Sequence, residues 1–341
     1  MDQQRQNATI YLAERPEYGI VPGKTFASKK EPAPTVDDLN DGEVLVETLY
    51  LSLDPSMRGV LNGKSGIIYP PVAIGQKMIG GAVTRVLGSK SGKVKSGDIV
   101  HTFSGWTEVA IVPEAAVDAI QLPKGGKITD ILMAALSNGL KNIAQVKPGE
   151  TVVVSAAAGA NGTLVGQIAK MQGARVIGIT GSDEKCDWLC KEVGLDAALN
   201  YKSPNFIRDL ETATPNEVDV YWDNVGGQLL ETMLSRAAKK SRFVICGGIS
   251  EYNTAPEQRW GVKNIIELGK KRIRMEGFVI LDHAQDLPQA RAELFNWIEQ
   301  GKIKVFNTIL KGGIGEAENA LVKLFEGRNN GKLSLEVKAI L

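Results

Sequence analysis

Five short apolar runs recur at nearly even spacing through the second half of this chain. They are TVVVSA, RVIGIT, DAALNY, VDVYWD and SRFVICG, and their starts at residues 151, 175, 196, 218 and 241 are 24, 21, 22 and 23 residues apart. Amphipathic segments lie between them, as in 163–173, where Leu164, Ile168 and Met171 share one helix face. Strands that alternate with such helices predict βαβ units and therefore a mostly parallel, doubly wound sheet. The runs share no repeated side-chain motif, which argues against a solenoid.

The first of these runs leads into a turn of small residues that opens a helix. Gly159 and Gly162 match the last two glycines of G-x-G-x-x-G, and Ala157 stands at the first position. Small residues let the backbone approach a pyrophosphate, which the helix N-terminus then stabilises. Because the motif lies in a strand–turn–helix within a βαβ series, it predicts a dinucleotide site. A close helix–strand packing turn without a ligand is the structural alternative.

The end of the second run indicates which dinucleotide is bound. NAD sites usually place an Asp or Glu there to accept from the ribose 2′-OH. Here the strand is expected to end at Thr180, without an acid, and Ser182 and Lys185 follow as donors suited to the 2′-phosphate of NADPH. NAD remains an alternative cofactor because of Asp183 and Glu184. If the strand ended two residues later, an acid would stand at the strand end.

The first 120 residues differ in pattern and are typical of β-structure. Strand-like runs occur at 43–54, 81–87, 98–103 and 106–112. Further along, 272–280 is expected to form a strand, with helices over 284–301 and near 316–327. The last 40 residues return to strand-like chemistry, so we expect the two ends of the chain to pack together, with the βαβ domain inserted between them.

Charge and cysteine content exclude several classes of protein. Forty basic and 39 acidic residues give none of the overall basic charge of nucleic-acid binders. The chain has no run of 18 apolar residues and no apolar signal segment, so we expect no membrane association and a cytoplasmic location. Cys186, Cys190 and Cys246 are too few for a disulfide framework, and with only His101 and His283 they form no zinc-site spacing. No metal is expected.

Several motifs together carry a resemblance to a known family. They are LDPSMRG (53–59), SGWTE (104–108), SAAAGANG (155–162), GSDEK (181–185), LNYK (199–202), YWDNVGG (221–227), CGGISEYN (246–253) and GRNNGK (327–332). The chain resembles the zinc-independent medium-chain dehydrogenase/reductases, in the branch of prostaglandin reductases (leukotriene B4 12-hydroxydehydrogenases) and alkenal double-bond reductases. The resemblance implies a Rossmann domain, assigned here to 126–309, inserted into a β-rich, partly barrel-like (GroES-like) substrate domain formed by 1–125 and 310–341. It also implies a homodimer in which the strand near 272–280 pairs with its twin.

The resemblance further implies roles for individual residues. The pyrophosphate would lie on Gly159, Ala160, Asn161 and Gly162, and the 2′-phosphate on Ser182 and Lys185, with Tyr201 at the same end of the cofactor. The remaining cofactor contacts would come from Asn224, Cys246, Gly247, Gly248, Ile249, Ser250, Tyr252, Phe278, Val279, Ile280 and Asn329. Taken alone, each of these would be read as a structural turn or core residue; Cys246, for example, would be a small buried hydrophobe.

Departures from the branch pattern fall around the substrate. Ser56 replaces the tyrosine of Asp-Pro-Tyr-Met-Arg, and Ala135 and Ser137 replace a threonine and a tyrosine. Ser56, Met57 and Ala135 are therefore the candidate substrate residues. The departures leave the cofactor assignment largely intact, and we expect a wider or differently shaped substrate pocket.

The implied activity is the NADPH-dependent reduction of the activated C=C bond of α,β-unsaturated ketones and aldehydes. Hydride would go to the β-carbon and a proton to the α-carbon, and the developing enolate needs an electrostatic partner. Tyr252 is the candidate catalytic residue, because a phenol is protonated at neutral pH and can donate; a packing tyrosine is the alternative. Two further functions stay open: a quinone reductase of the same superfamily, and a non-catalytic NADPH-binding protein.

Overall fold

The computed structural model describes residues 5–63, 69–119, 127, 129 and 139–339. Its strands, in chain order, are β1 (Gln6–Leu12), β2 (Phe26–Pro32), β3 (Glu43–Ser52), β4 (Ala82–Ser89), β5 (Ile99–Thr102), β6 (Val109–Pro113), β7 (Val117–Asp118), β8 (Thr151–Val154), β9 (Arg175–Thr180), β10 (Ala197–Asn200), β11 (Val218–Asp223), β12 (Ala237–Ile245), β13 (Arg274–Gly277), β14 (Asn307–Leu310) and β15 (Lys332–Glu336).

Among the described residues, the α-helices are α1 (Ala160–Met171), α2 (Asp183–Trp188), α3 (Phe206–Ala213), α4 (Gly227–Arg236), α5 (Glu267–Lys271), α6 (Leu287–Glu299) and α7 (Ala317–Phe325). Shorter 3₁₀ segments cover Val36–Asp38, Pro55–Leu61, Glu114–Ala116, Ile249–Glu251, Pro256–Gln258, Ile280–Asp286 and Ile314–Glu316. Two π-helical turns cover Leu140–Ala144 and Leu189–Val193. Within the described ranges, none of the helices has the length and apolar character needed to cross a bilayer.

Six parallel strands form the central sheet, in the order β10-β9-β8-β11-β12-β13. The order reverses at β8, because the chain places β9 and β10 on one side of it and β11 to β13 on the other. In open α/β sheets, ligands bind outside the carboxyl ends of the strands at this reversal. The predicted doubly wound sheet is confirmed, and its topology locates the candidate site.

Burial on both faces explains why the strands are short continuous apolar runs. Val152 and Val154 of β8 belong to the cluster under α1, together with Leu164 and Ile168. Val153 points to the opposite face and packs with Ile177, Tyr221 and Phe243. A parallel strand that is covered on both faces loses the polar alternation of a half-exposed one.

A second sheet joins the two ends of the chain, as expected. Its order is β14-β15-β3-β4-β5-β7, and β6 also pairs with β3. β15 runs antiparallel to β3, with Ser334 opposite Ser52, so the last strand completes the sheet of the first half. β1 and β2 form a separate two-stranded sheet. The fold class is thereby confirmed; the boundaries at 125/126 and 309/310 stay a prediction, and the first lies outside the described residues.

Several element ends differ from the prediction. α1 starts at Ala160 rather than at residue 163, and β12 starts at Ala237 rather than at 241. The strand expected over 272–280 covers only Arg274–Gly277, since a 3₁₀ segment begins at Ile280. Phe278, Val279 and Ile280 therefore lie beyond the end of the edge strand.

Candidate active site

The glycine turn at the end of β8 is built for close approach. A Cβ on Gly162 would lie 2.5 Å from both the Ala156 carbonyl oxygen and the Ala157 Cα, so the first turn of α1 can pack against the strand only with glycine there. Gly159 is the N-cap residue of α1. The N–H groups of the first turn of this 12-residue helix have no partners within the helix, and its dipole favours an anion. The predicted pyrophosphate residues therefore form a suitable cradle.

The end of β9 presents donors rather than an acid. β9 ends at Thr180, and the Ser182 hydroxyl caps α2 by accepting from the Lys185 backbone N at 3.3 Å. The Asp183 carboxylate accepts a hydrogen bond from Asn200 Nδ2 at 2.9 Å, so it is already engaged by a neighbouring side chain. This arrangement favours the predicted 2′-phosphate over a ribose 2′-OH.

The Lys185 ammonium donates to the backbone carbonyl oxygens of Gly327 and Asn329, at 2.6 and 2.8 Å. An ammonium has three donors, so these two bonds leave capacity for a phosphate oxygen. Burial, and then the nearby Lys202, lower the pKa of Lys185. Tyr201 lies half exposed beside Gly181, at the same end of the site.

The C-terminal loop 327–332 contacts the glycine turn directly. Gly331 donates its N–H to the Ala158 carbonyl at 2.8 Å, and its position demands glycine, because a Cβ there would lie 1.9 Å from the Phe306 carbonyl oxygen. Asn329, predicted from the resemblance, is buried and donates to Gly331 O at 2.7 Å. This bond holds Asn329 within the loop that contacts the glycine turn.

Asp223 organises the neighbouring strand end, and the sequence reasoning did not single it out. Its Oδ1 accepts from Val225 N and Gly226 N at 2.9 Å each, and from Tyr221 Oη at 2.9 Å. Burial raises the pKa of Asp223, and the backbone donors oppose that rise. An Asp that ends a buried strand before a Gly-Gly pair is a signal that could have identified it.

Hydrogen bonds also connect Asp223 and its neighbour Asn224 to Ser155, the residue that follows β8. Ser155 Oγ donates to Asp223 Oδ1 at 3.1 Å, and Asn224 Nδ2 donates to the Ser155 carbonyl at 2.7 Å. Trp222 Nε1 donates to Asn224 Oδ1 at 3.3 Å. The predicted Asn224 is therefore part of the connection between the ends of β8 and β11.

The loop after β12 lies over this strand end. Cys246 N and Gly247 N donate to the Asp223 carbonyl at 2.8 and 3.1 Å. Asn161 Nδ2 donates to Cys246 Sγ at 3.7 Å, which joins the loop to the glycine turn. Burial raises the pKa of Cys246 to about 11, so the thiol is protonated at neutral pH and is not a nucleophile there.

Tyr252 points back into the same loop. Its hydroxyl oxygen accepts from the Gly248 backbone N at 3.2 Å. That oxygen also lies 3.2 Å from the position that a Cβ on Gly247 would occupy. Burial raises the pKa of Tyr252, and the Gly248 bond partly offsets this. The phenol therefore keeps its proton at neutral pH.

The remaining predicted residues divide between the core and the rim. Phe278 is buried against Trp222, with ring centroids 5.7 Å apart, and Ile280 packs on the same cluster. Ser250 Oγ donates to the Val225 carbonyl at 2.7 Å, while Ile249 and Val279 are half-buried.

The candidate substrate residues are only partly placed. Ser56 is half-buried in the 3₁₀ segment Pro55–Leu61, whereas Met57 lies in the core cluster that contains Trp106. Ala135 lies outside the described residues.

A buried lysine that the sequence reasoning missed anchors the turn before Ser56. Lys332 is 2% exposed, and its Nζ lies 2.5 Å from Asp54 Oδ1 and 2.8 Å from the Leu53 carbonyl. Burial of Asp54 opposes its ionisation, but Lys332 and Ser52 outweigh this and lower its pKa. Because Lys332 is the last residue of the C-terminal loop 327–332, this ion pair connects that loop to the turn at Leu53 and Asp54.

Within the part of the chain that the structure describes, no group of three or more His, Cys, Asp or Glu side chains could hold a metal ion. Burial raises the pKa of Cys186 to about 11, which disfavours the thiolate that a metal would need.

Comparison with known proteins agrees with this geometry. A family model for the N-terminal domain of oxidoreductases matches residues 8–120, and one for zinc-binding dehydrogenases matches 160–296. The NADPH-dependent curcumin reductase of Escherichia coli is 35% identical over 350 residues, covering 99% of each chain. The NADP(+)-dependent 2-alkenal reductase of Nicotiana tabacum is 40% identical over 302 residues, covering 85% of this chain and 86% of its own.

A solved structure resembles the whole chain. CurA from Vibrio vulnificus in complex with NADPH superposes with a TM-score of 0.88 at 32% identity, covering 98% of this chain and 100% of its own. The expected resemblance is confirmed by both kinds of comparison. The chain therefore belongs to the medium-chain dehydrogenase/reductase family, in its zinc-independent branch of NADP-dependent oxidoreductases.

Proposed function

We propose that this protein is an NADPH-dependent reductase of the activated C=C bond of α,β-unsaturated ketones and aldehydes. The observation that carries the proposal is the protonated phenol of Tyr252, which is half-buried and lies against Gly247 and Gly248 in the loop that follows β12. The named relatives support the substrate class, because 2-alkenals are conjugated carbonyl compounds and one relative acts on them.

The residues present fit NADPH. The N-terminus of α1, with Gly159 and Gly162, would hold the pyrophosphate, and Ser182 and Lys185 would hold the 2′-phosphate. Asn329 and the loop after β12 would shape the remaining wall. When bound, NADPH supplies a hydride to the β-carbon of the substrate.

The chain's own residues would supply orientation and the proton. The Tyr252 O–H would donate to the substrate carbonyl oxygen, where negative charge develops, or pass its proton toward the α-carbon. The Tyr252 oxygen already accepts from Gly248 N, so that backbone amide would stabilise a phenolate that forms. Cys246 and Phe278 would supply neutral surface that keeps water away.

A screen of NADPH oxidation over enals, enones and quinones tests this function. We expect the enals and enones to be turned over at high kcat/KM, with a saturated carbonyl as the product by mass spectrometry. Reduction of quinones alone would point to a quinone reductase instead. Tight NADPH binding without oxidation by any of these compounds would mean a binding protein.

A further inference from the structure

Arg58 is a buried cation whose partners among the described residues are neutral oxygen atoms. It is 4% exposed, and its Nε lies 2.8 Å from the Tyr18 carbonyl and 3.0 Å from Asn253 Oδ1. Its Nη2 donates to the carbonyls of Tyr18, Glu17 and Pro16. Burial lowers the pKa of Arg58. Burying a guanidinium costs free energy, and these hydrogen bonds offset that cost only while the three segments stay in this arrangement.

These contacts join three distant parts of the chain. Arg58 lies in the 3₁₀ segment Pro55–Leu61, which carries Ser56. Residues 16–18 precede it by about 40 positions, and Asn253 follows it by 195. Asn253 belongs to the loop after β12, on the cofactor side. The Arg58–Asn253 bond therefore crosses from the substrate segment to the cofactor loop.

Asn253 directly follows the candidate proton donor, Tyr252. The start of this loop is held by the turn after β11, because Ile249 N and Ser250 N donate to the carbonyls of Asn224 and Val225, at 3.1 and 3.2 Å. The end of the loop is held by Arg58 through Asn253. Tyr252 thus lies between an anchor on the cofactor sheet and an anchor on the substrate side.

We propose that Arg58 is a positioning residue that acts through Asn253 to set the Tyr252 phenol against the substrate segment 55–57. This inference rests on the proposed role of Tyr252. Misplacing a donor by about 1 Å can reduce a rate by up to roughly 10². The Arg58–Asn253 bond is one of several bonds that hold this loop, so its loss should reduce turnover by about tenfold, less than that limit.

The test changes Asn253 instead of Arg58, because removing Arg58 would leave several carbonyls unpaired. Asn253 is only half-buried, so its substitution disturbs the fold less. Asn253→Ala deletes the acceptor, and Asn253→Asp keeps an oxygen for Arg58 as the matched control. We expect Asn253→Ala to lower kcat about tenfold, with NADPH affinity unchanged and with wild-type turnover in Asn253→Asp. In a Tyr252→Phe background, the same alanine substitution should change kcat less than about twofold, since coupled residues are not additive.

Hydrogen exchange provides a second measurement on the cofactor-free protein. Asn253→Ala should increase amide exchange in residues 249–254, whereas Asn253→Asp should not. Wild-type exchange and wild-type turnover in Asn253→Ala would overturn the proposal, as would an equal loss of turnover in both Tyr252 backgrounds. A Tyr252→Phe protein with full turnover would instead refute the proposed role of Tyr252, and exchange would still show whether Arg58 holds the loop.

Discussion

Replacing Lys185 with alanine should weaken NADPH binding far more than NADH binding. The two cofactors differ only in the 2′-phosphate, and Lys185 lies with Ser182 at the end of β9, where that phosphate is expected. A hydrogen bond to a charged group contributes roughly 1.5–3 kcal/mol. Lys185 is half-buried, so solvent screening favours the lower part of that range. We therefore expect the Kd for NADPH to rise about 10- to 30-fold.

Lys185→Ala should also cause a smaller loss of affinity that is the same for NADPH and NADH. Lys185 also holds the carbonyls of Gly327 and Asn329, and the loop that contains them contacts the glycine turn. Losing these bonds should weaken both cofactors alike, by less than about threefold, since each is a partly exposed bond. The ratio of the two Kd values therefore isolates the phosphate contact from the loop contact.

The assay is a titration of the protein with each cofactor, followed by cofactor fluorescence or by calorimetry at two salt concentrations. Lys191→Ala is the matched control, because Lys191 is exposed and paired with Asp187 away from the site. The salt dependence of NADPH binding should decrease in Lys185→Ala and stay unchanged in the control. Equal losses for NADPH and NADH in Lys185→Ala would refute the assignment of the 2′-phosphate to this lysine.

Four further outcomes are expected. Tyr252→Phe should lower the turnover of the best enone about 10²- to 10³-fold while NADPH affinity is retained. Near-normal turnover would mean that Tyr252 only lines the pocket and does not donate a proton. Prolonged chelation should leave activity intact and metal analysis should find no stoichiometric zinc, whereas zinc-dependent turnover would overturn the mechanism. Because burial raises the pKa of Cys246 to about 11, its alkylation should be slow at pH 7 and accelerate as the pH rises toward that value; rapid alkylation at pH 7, mapped by mass spectrometry, would contradict this. The edge position of β13 fits a homodimer, which light scattering at micromolar concentration should detect, and a monomer alone would argue against it.

The local sequence pattern was sufficient to predict the parallel sheet and its glycine turn. The apolar runs predicted β8 to β11, because strands covered on both faces are mostly apolar, as in β8, which is buried at every residue. The turn before α1 was predicted because close backbone approach restricts residue types within a few positions. The family motifs then supplied most of the candidate residues.

Exposed strands gave no comparable pattern. β2 has the sequence FASKKEP and is exposed at every residue after Phe26, so no buried face marks it in the sequence. Its backbone hydrogen bonds to β1 define it instead, and those depend on a partner about 20 residues away. The start of β12 was missed for a similar reason, since Lys239 and Lys240 are exposed within that strand.

The sequence by itself determined the fold class, the dinucleotide turn and the chemical types gathered at the strand ends. Tertiary structure alone decided which of them meet: Lys185 with the loop at 327–332, Lys332 with Asp54, and Arg58 with Asn253. These partners are separated by 142, 278 and 195 positions, respectively. Periodicity and turn chemistry describe interactions over a few residues, whereas a buried ion or hydrogen bond depends on which distant segments the packed core brings together.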